Sequence, residues 1–193
     1  MSAAAIRLDG LGKSGGGLSR EVKARSGASP LSCFQCAKCT SGCPVAGRAQ
    51  NDLRPHELVR MVQLDQRRAV LGCRFIWECT SCQTCTTRCP QQVDLAAMND
   101  ALRALSVEEG MVAAGTAVPT FNRLFLKSVR KRGRTHELGL MAAFKLRTLR
   151  LLADMGKAPM MFTKGKLSLF GPRVRGKAER QAMFRRAAGG KRP

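Results

Sequence analysis

Apolar residues along the middle of the chain recur at spacings of three and four, and no stretch shows clear alternation with period two. Leu58, Met61 and Val62 mark one face of a helix that Asp52 can cap, with Pro55 in its first turn and Asp65 at its end. A second short helical segment is expected around Arg67 to Trp77. Asp94 can cap a helix from Leu95 to Glu109, with Leu95, Met98, Leu102 and Leu105 on its apolar face and Gly110 as its stop. Pro119 opens another helix through Arg132, with Phe121, Leu124, Phe125 and Val129 apolar and Gly133 at its end. His136 to Met155 is a longer one, its face carrying Leu138, Met141, Phe144, Leu149 and Leu152. Met160-Met161-Phe162 and Leu167-Ser-Leu-Phe170 flank a short loop, and Lys177 to Ala188 makes a final basic helix. The pattern is all-α. It predicts a flexible lead-in over 1–30, a helical domain over 31–110 and a basic helical extension over 111–193. The extension has too little apolar material for a large core of its own, so its stripes should pack on the helical domain or on a partner.

Charge sharpens this division. The 193 residues carry a formal net charge of +21. From Met111 to Pro193 there are 20 Lys/Arg and 3 Asp/Glu, so most of the excess lies in the extension. A field of that sign favours an acidic protein face, a nucleic acid or an anionic membrane surface. Aromatics that could stack on bases are few and no nucleic-acid-binding motif is present, so docking on an acidic protein is the expected role and nucleic acid is not. No run approaches the roughly 18 apolar residues of a membrane span. The first thirty residues hold no apolar region of signal-peptide length. The expectation is a cytoplasmic protein, with peripheral membrane contact open.

The chemistry lies in nine cysteines. Eight fall into two runs, Cys33-x2-Cys36-x2-Cys39-x3-Cys43-Pro44 and Cys79-x2-Cys82-x2-Cys85-x3-Cys89-Pro90. Without an export signal, such cysteines read as metal ligands rather than disulfides. Three thiolates at two-residue gaps can curl around one [4Fe-4S] cubane, while the fourth, ahead of a proline, reaches the other cubane. Cluster one is therefore expected on Cys33, Cys36, Cys39 and Cys89, and cluster two on Cys79, Cys82, Cys85 and Cys43. Crossed ligation of this kind draws the cubanes together, which suits electron hopping. The competing reading is a pair of four-cysteine zinc sites, but zinc favours separate C-x2-C pairs and explains the triple run poorly. Cys73 lies outside both runs and reads as a small buried hydrophobe. Trp77, two residues ahead of Cys79, is expected to shield cluster two by ordinary packing.

No catalytic constellation accompanies the cysteines. His56 and His136 read as surface or capping residues, since nothing places a nucleophile or an orienting acid beside them. His136-Glu137 lacks the second histidine of a zinc-protease helix, and Gly15-Gly16-Gly17 is not followed by a phosphate-loop Lys-Ser/Thr. A dinucleotide fingerprint is missing as well. The expected role is electron transfer with no catalytic residue of the chain's own.

The residues also resemble a known family. Cys33–Pro44, then Asp52-Leu53-Arg54-Pro55 and its helix, then Ile76-Trp77-Glu78-Cys79 leading into Cys89-Pro90-Gln91-Gln92-Val93-Asp94, is similar to the C subunit of heterodisulfide reductase and its bacterial relatives. Gly133-Arg134-Thr135-His136-Glu137-Leu138-Gly139-Leu140-Met141 and Lys164-Gly165-Lys166-Leu167 extend the likeness over about residues 30–180. The resemblance implies an α-helical ferredoxin fold with two [4Fe-4S] clusters on the eight cysteines. It also implies a non-catalytic subunit of an oxidoreductase complex. Such a subunit relays electrons between two others. One, of the A type, carries flavin and iron–sulfur groups; the other, of the B type, is cysteine-rich and converts a disulfide or thiol compound. The Arg/Ala content and long basic ends point to a bacterial relative rather than a methanogen enzyme. The same ligands would serve the iron–sulfur subunit of a glycerol-phosphate or glycolate dehydrogenase.

Overall fold

Two successive units make up the chain, residues 1–116 and 117–193, and the computed structural model describes residues 17–48, 52–113, 116–148 and 174–189. Every regular element among the described residues is helical. The first unit contains α1 (Gly17–Ser26), a 3-10 turn at Pro30–Ser32, α2 (Lys38–Ser41), α3 (Pro55–Gln63), α4 (Arg67–Leu71), α5 (Phe75–Glu78), α6 (Thr84–Thr87) and α7 (Leu95–Glu108).

The two longest predicted helices of this unit form as the apolar spacing requires. In α7 the Asp94 carboxylate accepts the Ala97 N–H at 3.0 Å, an N-cap. Leu95, Met98, Leu102 and Leu105 are all buried, and Gly110 adopts φ +66° beyond the helix end. In α3 Pro55 opens the first turn, and Glu57 rather than Asp52 completes the N-terminus by accepting the Arg54 N–H at 2.7 Å. The residue before a proline is held extended, which carries Asp52 away from this helix. Its carboxylate instead accepts the N–H groups of Arg74 (2.9 Å) and Phe75 (3.4 Å) at the start of α5. That anchor also explains why the predicted segment 67–77 is two helices broken at Gly72–Arg74: the Asp52 carboxylate starts a fresh helix where α4 has ended. Asp65 closes α3 in the left-handed region at φ +56°, with Gln66 N–H bonded to Met61 O at 2.9 Å.

Residues 17–30, expected within a flexible lead-in, are structured. Leu18 and Val22 of α1 are wholly buried, and α1 packs on α3 and α7. The Ser19 hydroxyl donates to Val62 O (2.9 Å) and Leu18 N–H to Asp65 Oδ1 (2.9 Å). Glu21, Arg25, Arg67, Glu108 and Glu109 form an ion-pair network over the outside of this contact. The core beneath holds Leu58, Val62, Leu71, Ile76, Met98 and Leu102. Full burial of each such side chain contributes about 1.5–3 kcal/mol. The unit extends past the expected boundary at residue 110 because Met111 and Val112 pack against this core and Ala113 is buried in it.

The second unit contains α8 (Val118–Arg132), α9 (Glu137–Thr148) and α10 (Lys177–Gly189). Pro119 sits in the first turn of α8, and Gly133 ends it at φ +80°. Phe121 stacks on Phe125 with centroids 6.2 Å apart and meets Phe144 edge-on at 5.7 Å, joining α8 to α9. The Arg180 guanidinium donates to Arg130 O, Lys131 O and Val174 O at 3.2–3.4 Å, which ties α10 to the end of α8. No described residue of this unit is buried. The stretch 149–155 of the predicted long helix and the apolar groups at 160–170 lie outside the described residues.

Candidate metal centre

Each position of the first cysteine run recurs 46 residues later in the second, and the backbone repeats with it. Gln35 and Ala37 adopt left-handed φ of 59° and 60°, and their counterparts Ser81 and Gln83 adopt 51° and 64°. Four non-glycine residues in this sparsely allowed region make each loop turn tightly enough to aim three cysteines inward. A single helical turn follows in each case, α2 and α6. Each run then closes on an equivalent bond, Cys43 N–H to Thr40 O (3.1 Å) and Cys89 N–H to Thr86 O (3.3 Å).

The two loops frame two cavities. One is lined by Cys79, Cys82, Cys85 and Cys43, together with apolar Val45, Pro55, Phe75 and Leu95. The other is lined by Cys33, Cys36, Cys39 and Cys89, with Phe34, Ala37, His56 and Pro90. The eight cysteines thus sort into two sets of four, each with three from one run and the last from the other. Trp77 is buried in the core but does not line the second cavity; Phe75 does. On a one-turn helix, residues two apart point to opposite sides, so only one of them can face the cavity.

All nine cysteines are unbridged thiols. Among the described residues, no three Cys, His, Asp or Glu side chains draw together as ligands of a single ion do. Zinc gathers four donors at about 2.3 Å from one point. Four thiols set among apolar side chains at each cavity are a donor set of the kind an iron–sulfur cubane takes. Burial pushes the Cys39 and Cys85 thiols up, and these two occupy the same position in the repeat. Cys36 and Cys82, also equivalent, are exposed. The Thr84 hydroxyl, 3.4 Å from Cys82 Sγ, holds that thiol below its usual range. Backbone donors approach the sulfurs of the first cavity: Gln35 N–H reaches Cys33 Sγ (3.4 Å) and Val93 N–H reaches Cys89 Sγ (3.3 Å). Cys73 is buried in the core, away from both cavities, and burial pushes its thiol up to about 12.

Some supporting residues escape the sequence pattern. Thr40 and Thr86, at equivalent positions, anchor the two runs to different partners. Thr40 Oγ1 lies 2.7 Å from His56 Nδ1, and Thr86 donates to Asp94 at 3.0 Å. His56 therefore serves the first loop structurally, at the start of α3. Gln63 and Arg103 bond the loop carbonyls of the first and second runs respectively. Both stand eight residues into their helices, yet Gln63 follows Cys43 by 20 residues and Arg103 follows Cys89 by 14, so no fixed spacing marks them.

The stretch that holds both cysteine runs, residues 29–93, also matches a known domain family, the 4Fe-4S dicluster domain. Beyond the domain, the chain is similar to the C subunits of several heterodisulfide reductases, as the residues at the two runs indicated. It is 32% identical over 104 residues to the C subunit of the H(2):CoB-CoM heterodisulfide,ferredoxin reductase of Methanothermobacter thermautotrophicus, covering 53% of this chain and 55% of that one. It is 38% identical over 82 residues to the C subunit of the ferredoxin/F(420)H(2)-dependent CoB-CoM heterodisulfide reductase of Methanosarcina acetivorans, covering 42% and 49%. A second C subunit of that organism, from its ferredoxin:CoB-CoM heterodisulfide reductase, is 35% identical over 79 residues, covering 41% and 31%. The chain spans about half the length of these relatives or less. The aligned stretches are shorter than the likeness over residues 30–180 read from the sequence. No helix among the described residues is long and apolar enough to cross a membrane.

Proposed function

We propose that the chain is the electron-relay subunit of a heterodisulfide-reductase-like complex. Cys33, Cys36, Cys39 and Cys89 hold one [4Fe-4S] cluster, and Cys79, Cys82, Cys85 and Cys43 hold the other. The observation that carries this reading is the sorting of the cysteines: each cavity takes three thiols from one run and one from its repeat. Bound there, each cluster supplies reversible one-electron transfer. The chain's own residues do the rest. The left-handed residues of each loop fix the thiol directions. Val45, Phe75 and Leu95 keep water from the second cavity. The N–H groups of Gln35 and Val93 stabilise thiolate charge at the first. Exposed Cys36 and Cys82 bring one corner of each site to the surface, where a partner can come within transfer distance.

The two mouths differ, which supports a relay between unlike partners. Phe34, which lines the first cavity with Cys36, is 74% exposed. Beside Cys82 stand Thr80, Ser81 and Gln83, all polar. An apolar-edged mouth and a polar one fit two different protein faces. They are in keeping with an A-type partner bearing flavin and iron–sulfur groups on one side and a cysteine-rich, sulfur-converting B-type partner on the other. Paramagnetic resonance with iron and sulfide counting, on anaerobically purified protein, tests the assignment. Two clusters are expected in the wild type. Cys39→Ser should damage cluster one and Cys43→Ser cluster two, although only four residues separate them. An identical pattern of loss in both variants would sink the crossed assignment, and stoichiometric zinc in place of iron would sink the whole reading.

A further inference from the structure

The helices that follow the two cysteine runs grip them at the same points with different chemistry. Gln63, the last residue of α3, donates from Nε2 to the carbonyls of Pro30 (2.9 Å) and Cys33 (3.1 Å). Arg103 in α7 donates from Nε to the carbonyl of Ile76 (2.5 Å) and from Nη2 to that of Cys79. Pro30 and Ile76 occupy one position of the 46-residue repeat, and Cys33 and Cys79 another. One mechanical task, holding the first cysteine of a run against the core, is thus performed at the first run by the neutral Gln63 amide and at the second by the Arg103 guanidinium, with the Asn99 amide sharing the Ile76 carbonyl at 3.0 Å. Holding the loop does not require the charge, since Gln63 does it without one.

The charge of Arg103 is poorly cancelled. Its side chain is only 23% exposed, while its ion-pair partner Asp100, at 3.0 Å, is 59% exposed and well screened by water. The other acids near the second run have partners of their own. Glu78 is paired with Arg48 at 2.9 Å. Asp94 accepts from the Ala97 N–H and from Thr86, each at 3.0 Å. Near the first run, the cation lining the cavity is Lys38, which is exposed and lies where the second run has Thr84. A guanidinium bonded to the backbone of Cys79, in a part-buried setting, stabilises added negative charge nearby far more than a solvated ammonium does.

Resting on the two-cluster assignment above, we propose that Arg103 is a positioning residue that also tunes potential. It holds the cluster of the second run at a higher potential than a neutral clamp would give, and so biases electrons within the chain towards that site. The test is a potentiometric titration of the full chain with both clusters loaded, followed by paramagnetic resonance. The cluster-two signal is identified as the one Cys43→Ser removes. Arg103→Gln installs at the second clamp the side chain already used at the first, keeping a carbonyl donor and removing the charge. It should lower the midpoint potential of cluster two and leave that of cluster one in place. Arg103→Lys, which keeps the charge, should stay nearer the wild type. Gln63→Arg should raise the potential of cluster one.

The proposal is overturned if Arg103→Gln leaves cluster two unchanged, or moves both clusters equally, or if Arg103→Lys lowers it as far as Arg103→Gln. If Arg103→Gln cannot be loaded, Gln63→Arg decides: a raised cluster-one potential supports the charge effect and an unchanged one overturns it. Failure of the underlying assignment is seen separately, in the wild-type protein, as a preparation without two clusters.

Discussion

At the scale of single residues, a cysteine's role here follows from where its sulfur lies. The eight motif thiols stand at the rims of the two cavities, and only Cys73 is sealed in the core. Burial has a consequence that a ligand cysteine would not show. In the unfolded chain the Cys73 thiol ionises near its ordinary value of 9, and in the folded chain at about 12. The neutral thiol is therefore favoured by folding. That stability is fully present below pH 9 and is lost as pH rises from 9 towards 12, because only the unfolded state can then release the proton. Cys73→Ala should leave iron and sulfide content unchanged and cost about 1 kcal/mol near pH 8 through the small cavity it opens. Denaturant unfolding of the anaerobic protein at rising pH should show this cost shrinking above pH 9, since the variant has no thiol to ionise. A constant cost, or loss of iron, would mean that Cys73 is not an inert core residue. Its burial was legible in the sequence, because a cysteine outside a complete ligand set has no metal work left to do. The clamps at Gln63 and Arg103 were not legible. The chain between each run and its helix differs in length, so the repeat of the cysteines does not extend to the residues that hold them.

At the scale of elements, helices α3 and α7 were legible because each carries several apolar residues at helical spacing with a stop signal at its end. Helix α1 was not. Its ten residues include only Leu18 and Val22 as large apolar side chains, in a stretch otherwise rich in glycine, serine and cations. The helix depends on tertiary contacts rather than propensity: two buried side chains, two hydrogen bonds to the end of α3, and ion pairs at its edge. These contributions rank differently. Leu18→Ala should cost about 2–5 kcal/mol, as a fully buried leucine does. Glu21→Ala, which breaks part-exposed pairs with Arg25 and Arg67, should cost under about 1 kcal/mol. Chemical denaturation of the loaded protein separates the two, and equal costs would show that the ion pairs, not the apolar contact, hold α1 in place. Because α1 packs on α3 and α7, the two helices that bear the clamps, a loosened α1 should also speed cluster loss on exposure to chelator.

For the whole molecule, the two units distribute their work unequally. The first has a buried core and all nine cysteines; the second carries the larger share of the positive charge and no buried residue among those described. Its helices α8 and α9 leave Phe121, Phe125, Leu126, Met141 and Leu146 exposed, with Arg123, Lys127 and Arg130 on the same α8 segment as the first three. At 100° per residue these cations stand on the side of α8 away from Phe121 and Phe125, so charge and apolar contact are offered by different faces of the helix. On the function proposed above, charge would bring an acidic partner near from beyond contact distance, and apolar burial would then hold it. The charge term is screened over a Debye length of about 8 Å at physiological ionic strength, whereas the apolar term is not weakened by salt. Association of this chain with its partner subunits should therefore slow steeply as salt is raised, while dissociation changes little. Surface-binding kinetics of the loaded chain against the purified partner complex, at several ionic strengths, reads both rates. Neutralising Arg123, Lys127 and Arg130 together should flatten the salt dependence of the on-rate, and Phe125→Ala should raise the off-rate at every salt concentration. An on-rate indifferent to salt in the wild type would show that the charge excess of the second unit has no part in docking.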